Sequence, residues 1–193
     1  MNAAVFLDRD GTLIEEVGYL DRPEGVRLYP WTVDAIRALN RAAIQIVLVS
    51  NQSGVARGFF TESVVDRVHR HIADLLAAGG SHIDAYYYCP HHPHGSVAEY
   101  TKICDCRKPG RGLVDRAVRE LGVDPTESFT IGDRWLDVAL ARHVGARGVM
   151  VRTGYGAEEE HRPPDGLVAD AVVNNLVEAV SWILASRPLN SEL

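Results

Sequence analysis

Ala3-Ala4-Val5-Phe6-Leu7-Asp8-Arg9-Asp10-Gly11-Thr12 is an apolar run that stops abruptly at three charges and a glycine. Such a run is short enough for a strand and too uniformly apolar for a half-solvated one, so it reads as a buried parallel strand ending at a polar edge. Working outward, the pattern recurs. Ile44-Gln45-Ile46-Val47-Leu48-Val49 ends at Ser50-Asn51, Ala85-Tyr86-Tyr87-Tyr88 at Cys89, and Phe129-Thr130-Ile131 at Gly132-Asp133. A fifth strand is predicted at Gly148-Val149-Met150-Val151. Apolar residues at helical spacing occupy about 31–43, 61–78, 110–121 and 135–144, with a last helix at about 172–186. This β-α alternation predicts an α/β fold, a doubly wound, Rossmann-like parallel sheet, whose binding crevice lies at the carboxyl ends of the strands. The spacings leave no room for a large cap domain, and residues 1–193 are expected to form a single domain. Glu158-Glu159-Glu160-His161-Arg162-Pro163-Pro164 reads as a solvated loop, and Pro188 to Leu193 as a frayed end.

Composition narrows the function classes. With 193 residues, 46% of them hydrophobic, the chain can bury a proper core. Its net charge of −6 argues against a surface for nucleic-acid backbones. No apolar run reaches the roughly 20 residues of a membrane span, so neither nucleic acid nor membrane is expected as a partner and a cytoplasmic location is. The three cysteines, Cys89, Cys104 and Cys106, lie in one short stretch, which suits a metal site better than a disulfide framework.

Asp8 and Asp10 stand two positions apart beyond the first strand, so an extended backbone points both to one site. Two close carboxylates repel, and a divalent cation relieves them; hard oxygen donors suit magnesium. Together Asp8-Arg9-Asp10-Gly11-Thr12, Ser50, Lys108 and Gly132-Asp133-Arg134-Trp135-Leu136-Asp137 resemble the four successive motifs of the haloacid dehalogenase superfamily of phosphatases. The resemblance implies that Asp8 attacks phosphorus, forming an aspartyl-phosphate. Asp10 then serves as acid and base, while Ser50 and Lys108 hold phosphate oxygens. It further implies magnesium on Asp8, Asp133 and the backbone carbonyl of Asp10. Asp137 is expected to orient Lys108 or water, or to act only as an acid at a helix N-terminus.

Cys89-Pro90-His91-His92-Pro93-His94 and Cys104-Asp105-Cys106-Arg107-Lys108 supply three thiols and three imidazoles. Three thiolates and one imidazole complete a closed tetrahedral zinc site, and fixing Cys106 would fix Lys108. Spacing leaves open which histidine binds. These segments, with Ser50-Asn51-Gln52-Ser53-Gly54-Val55-Ala56-Arg57-Gly58, resemble the zinc-loop subfamily of heptose-bisphosphate and histidinol-phosphate phosphatases, which implies His91 as the ligand. The same resemblance implies a small phosphorylated sugar as the substrate; a monomer is expected. It places Glu16, Val17, Gly18, Tyr19, Asn51, Gln52, Ser53, Arg57, Arg107 and Lys108 around that substrate. Arg107 suits a distal phosphate because a guanidinium binds phosphate oxygens in pairs. Arg134 is expected at the phosphate or at the surface. The alternatives are an amine-bearing phosphate ester or a zinc-stabilised binding module without activity.

Overall fold

The computed structural model describes residues 2–186, so the end at 188–193 lies outside the described residues. Six parallel strands form one sheet: β1 (Ala4–Leu7), β2 (Gln45–Asn51), β3 (Ala85–Cys89), β4 (Phe129–Gly132), β5 (Arg147–Val151) and β6 (Ala171–Val173), in the order β3-β2-β1-β4-β5-β6. Between them run α1 (Thr32–Arg41), α2 (Glu62–Ala78), α3 (Gly112–Leu121), α4 (Trp135–Val144), the single turn α5 (Gly156–Glu159) and α6 (Leu176–Ser186).

The two-residue period of a strand decides which helix packs where. In β1, Val5 and Leu7 face one layer with Ile36 and Leu39 of α1, Val68 and Ile72 of α2 and Val180 of α6. Ala4 and Phe6 face the other, with Leu113 and Val114 of α3 and Leu140 of α4. Both sides of the strand are covered, which is why its sequence is apolar without interruption. From β1 the chain winds outward to β2 and β3, then returns to place β4 on the opposite side of β1. The strand order reverses at β1, and there the helices leave a crevice at the carboxyl ends. No large cap is inserted over it among the described residues.

Two expectations need correction. The predicted helix at 172–186 begins with strand β6, three half-buried residues paired with β5, so the sheet has six strands rather than five. A strand that short carries too little periodicity to separate it from the helix that follows. The solvated loop at 158–164 is in part structural: the backbone carbonyl of Glu159 accepts from the Trp135 indole, and Glu160 pairs with Arg152 at 2.9 Å.

Candidate active site

Asp8 directly follows β1, its amide still donating to Ile131 in β4 at 2.9 Å. The turn after it depends on Gly11, whose φ is +76° and where a β-carbon would collide with the Asp133 carboxylate. The three strand-end motifs and Lys108 therefore converge. The Lys108 ammonium lies 2.7 Å from an oxygen of Asp8 and 2.7 Å from one of Asp137. Lys108 is 3% exposed, Asp133 0% and Asp137 2%.

Desolvating an ammonium costs several kcal/mol unless anions surround it. Here burial opposes the lysine charge, but Asp137 and Asp8 outweigh it and hold the ammonium pKa above its ordinary value. Burial pushes Asp133 up to about 8, helped by Asp8 and Asp137. Asp137 is pushed up to about 7, again chiefly by burial, with Lys108 pulling the other way. One cation for three carboxylates leaves this cluster short of positive charge.

A divalent ion fits that deficit. Asp8, Asp133 and Asp137 each offer a carboxylate oxygen, and these lie within 4.8 Å of one another. Oδ2 of Asp133 accepts from the Tyr155 amide at 2.8 Å, whereas Oδ1 is buried without a protein partner. An unpaired buried carboxylate oxygen among hard donors is the chemistry that magnesium satisfies. Asp8 and Asp137 each give one oxygen to Lys108, and of the two only Asp8 lines the cavity, which makes Asp8 with Asp133 the better-disposed pair.

Asp10 faces a different network. Arg9, 1% exposed, donates from Nη2 to Oδ1 and Oδ2 of Asp10, both at 2.8 Å, and to Gln52 Oε1 at 2.9 Å. Gln52 Nε2 donates in turn to Ser50 Oγ at 2.7 Å and Asp10 Oδ2 at 3.0 Å. Sequence alone does not mark Arg9 as a site residue, because a charge in a turn reads as solvated unless its burial is known.

The crevice is a cavity of about 290 Å³, near the lower end of the ~300–1,000 Å³ usual for small-molecule sites. Asp8, Asp10, Ser50, Asn51, Gln52, Ser53 and Lys108 line it, as do Glu16, Gly18, Tyr19, Arg107 and Arg134. Burial and the nearby Asp10 raise the Glu16 pKa. Arg134 stacks over Tyr155 at 3.9 Å, which fixes a guanidinium in the cavity wall. Val17 is 49% exposed and outside the lining, and so is Arg57, whose Nη2 lies 3.2 Å from His92 Nε2.

The sulfur cluster is next door. Cys89, Cys104 and Cys106 have sulfurs 3.2 to 3.5 Å apart, and His91 Nδ1 lies 3.2 Å from Cys106 Sγ. A tetrahedral ion with ~2.3 Å bonds to sulfur spaces its ligands about 3.8 Å apart, so these four groups fit zinc after a small expansion. Burial raises the thiol pKa of Cys106 to about 11 and that of Cys89 as well, so a cation is needed to hold them as thiolates. The other two histidines stand outside the cluster, and both ring nitrogens of His92 are engaged, with Arg57 and with the His94 amide at 3.1 Å.

Comparison with known families agrees with this geometry. A family model described as Polynucleotide kinase 3 phosphatase matches residues 3–140, and a HAD-hydrolase-like model matches 105–179. The chain belongs to the haloacid dehalogenase-like phosphatases. Within them it is 39% identical over 181 residues to D-glycero-beta-D-manno-heptose-1,7-bisphosphate 7-phosphatase of Haemophilus influenzae, covering 92% of this chain and 95% of that protein. It is 40% identical over 184 residues to the Yersinia pestis enzyme of the same name, covering 94% and 95%. The crystal structure of D,D-heptose 1.7-bisphosphate phosphatase from B. bronchiseptica, complexed with magnesium and phosphate, superposes with a TM-score of 0.83 at 29% identity, over 97% of this chain and 100% of that one.

Proposed function

We propose that this chain hydrolyses the 7-phosphate of D-glycero-D-manno-heptose 1,7-bisphosphate through a phosphorylated Asp8. The observation that carries the reading is a cavity with Asp8 and Lys108 in its lining and two further guanidiniums, Arg107 and Arg134, in its wall. One phosphate at Asp8 leaves those arginines unmatched; a bisphosphate uses them. The similar enzymes named for that substrate support the choice. A nucleic-acid end is disfavoured by the net charge of −6 and the small cavity.

In the first step a carboxylate oxygen of Asp8 forms a bond to phosphorus as the bond to the sugar oxygen breaks. Asp10 delivers its proton to that oxygen. In the second, Asp10 takes a proton from water as the water attacks phosphorus, and the bond to Asp8 breaks, releasing inorganic phosphate. Lys108 and the Ser50 hydroxyl hold the non-bridging oxygens, whose charge must be stabilised throughout. Gln52 donates to Ser50 Oγ, so the hydroxyl's own proton is free to point at phosphate. Asp8, Asp133 and the Asp10 carbonyl would hold magnesium, which would neutralise the charge gathered there. Zinc on Cys89, His91, Cys104 and Cys106 is structural in this reading, since no position is left open.

Glu16 favours a second substrate, histidinol phosphate, because a carboxylate in the wall could receive its amine. Measuring kcat/KM for both esters decides between them: a preference of at least tenfold for the bisphosphate is expected, and a preference for histidinol phosphate overturns the heptose reading. The reading also entails a cytoplasmic, monomeric enzyme with residues 1–193 as one domain. Its support is three free cysteines gathered with His91 in one cluster that could hold a metal, and no helix among the described residues is long and apolar enough to cross a membrane.

A further inference from the structure

Asn51 ends β2 and lines the cavity, where a neutral amide is well suited to read a sugar hydroxyl. Its side chain is otherwise engaged. Oδ1 accepts from the Lys108 amide at 2.9 Å, and Nδ2 donates to the Lys108 carbonyl at 3.1 Å. Both hydrogen-bonding groups of the Asn51 amide thus pair with both backbone groups of one residue, as a neighbouring strand would, across 57 positions of sequence.

We propose that Asn51 is a positioning residue for Lys108 and does not read the sugar. This rests on the phosphatase reading above, not on the heptose assignment. Lys108 requires such support because its ammonium must sit between Asp8 and Asp137, at 2.7 Å from each, at the end of a side chain with four rotatable bonds. Displacing the backbone by a fraction of an ångström breaks one contact or the other. No helix or strand fixes this stretch, since Lys108 lies in the connection before α3. Two adjacent strand ends fix it instead. Asn51 of β2 and Cys89 of β3 are register partners. Cys89 gathers Cys106, two residues before Lys108, through the sulfur cluster, while Asn51 grips Lys108 directly. Neither hold is redundant: the sulfur cluster leaves two residues of freedom before the lysine, and the amide removes it.

The test compares Asn51→Ala with wild type on two esters, heptose 1,7-bisphosphate and p-nitrophenyl phosphate, which has no sugar and no second phosphate. Losing a positioning contact lowers kcat on both esters by a similar factor, on the order of 10- to 100-fold, with KM changed less than threefold. Zinc content and Tm stay near wild type, because the cluster and the core are untouched. A conservative Asn51→Asp variant, which retains the acceptor for the Lys108 amide, recovers part of kcat on both esters. A loss confined to the bisphosphate, or expressed in KM, means that the amide reads the sugar and overturns the inference, as does unchanged kcat on both. Loss of zinc together with activity makes Asn51 a folding residue and overturns it too. Wild type that cleaves only the simple ester removes the heptose assignment while leaving the comparison on that ester intact.

Discussion

Two clusters of metal-capable side chains lie on either side of Lys108, and they differ in nearly every respect. On one side Asp8, Asp133 and Asp137 are oxygen donors, almost fully buried, with one carboxylate oxygen of Asp133 and one of Asp137 lacking any protein partner. On the other, Cys89, His91, Cys104 and Cys106 are sulfur and nitrogen donors, half-buried for the most part, already folded into a compact tetrad. The first reaches the cavity through Asp8, whereas the second offers four donors, enough to fill a tetrahedral shell. Unsatisfied hard donors beside an open space suit a site that must accept a substrate's charge. A closed soft set suits a staple. Lys108 belongs to both: its side chain completes the first cluster, and its backbone follows the second.

The largest way to test that division is Asp8→Asn. On the oxygen side a neutral amide cannot attack phosphorus, so turnover should fall by about ten-thousand-fold or more while zinc content stays constant. Steady phosphate release is the measurement, and residual activity above one percent would remove Asp8 from the role of nucleophile. The corresponding change on the sulfur side is Cys106→Ser. It should lower zinc affinity sharply yet reduce kcat only on the order of 10- to 100-fold, because Lys108 is displaced rather than removed. Should kcat survive zinc loss unchanged, the staple does not position Lys108.

The contrast also separates what the sequence made legible from what it hid. Each catalytic strand end was readable because an apolar run stops at a polar residue, and a parallel sheet gathers such ends along one edge. Cys89, His91, Cys104 and Cys106 were readable as a group because soft donors are rare, so their proximity in sequence carries weight. Side-chain direction was not readable. Asn51 and Gln52, expected at a sugar, do line the cavity, but their amides also bond Lys108, Ser50 and Asp10, and Arg57, outside the lining, contacts His92. Apart from the Gln52–Ser50 contact, these orientations follow from partners 35 to 57 positions away, which no local pattern encodes. Arg9 was missed for the complementary reason. Arginine between two aspartates looks solvated in sequence, and only the folded chain shows it buried against Asp10 and Gln52.

The smallest expected effect sharpens the comparison by adding a buried histidine that no metal site claims. His91 stands among thiols, whereas His69 on α2 is 6% exposed, packs near the rings of Tyr86 and Tyr88, and has no partner on Nε2. Burial, reinforced by the Arg9 charge, lowers its pKa to about 3. The unfolded chain binds a proton at this imidazole below about pH 6.5, and the folded chain does not until about pH 3. In that window the unfolded state holds more protons, so stability rises with pH and is lost on acidification, by up to about 1.4 kcal/mol per pH unit. His69→Phe keeps a ring of similar volume and forfeits no hydrogen bond of Nε2, so its stability at pH 7 should lie within about 1.5 kcal/mol of wild type. Between pH 6 and 5 the variant should lose less stability than wild type, approaching the full slope in difference. Urea unfolding of both proteins at pH 7, 6 and 5 isolates this term, since the titrating carboxylates are common to the two. Parallel stability curves would mean that His69 accepts its proton in the folded state, and that Arg9 is not close enough to keep it neutral.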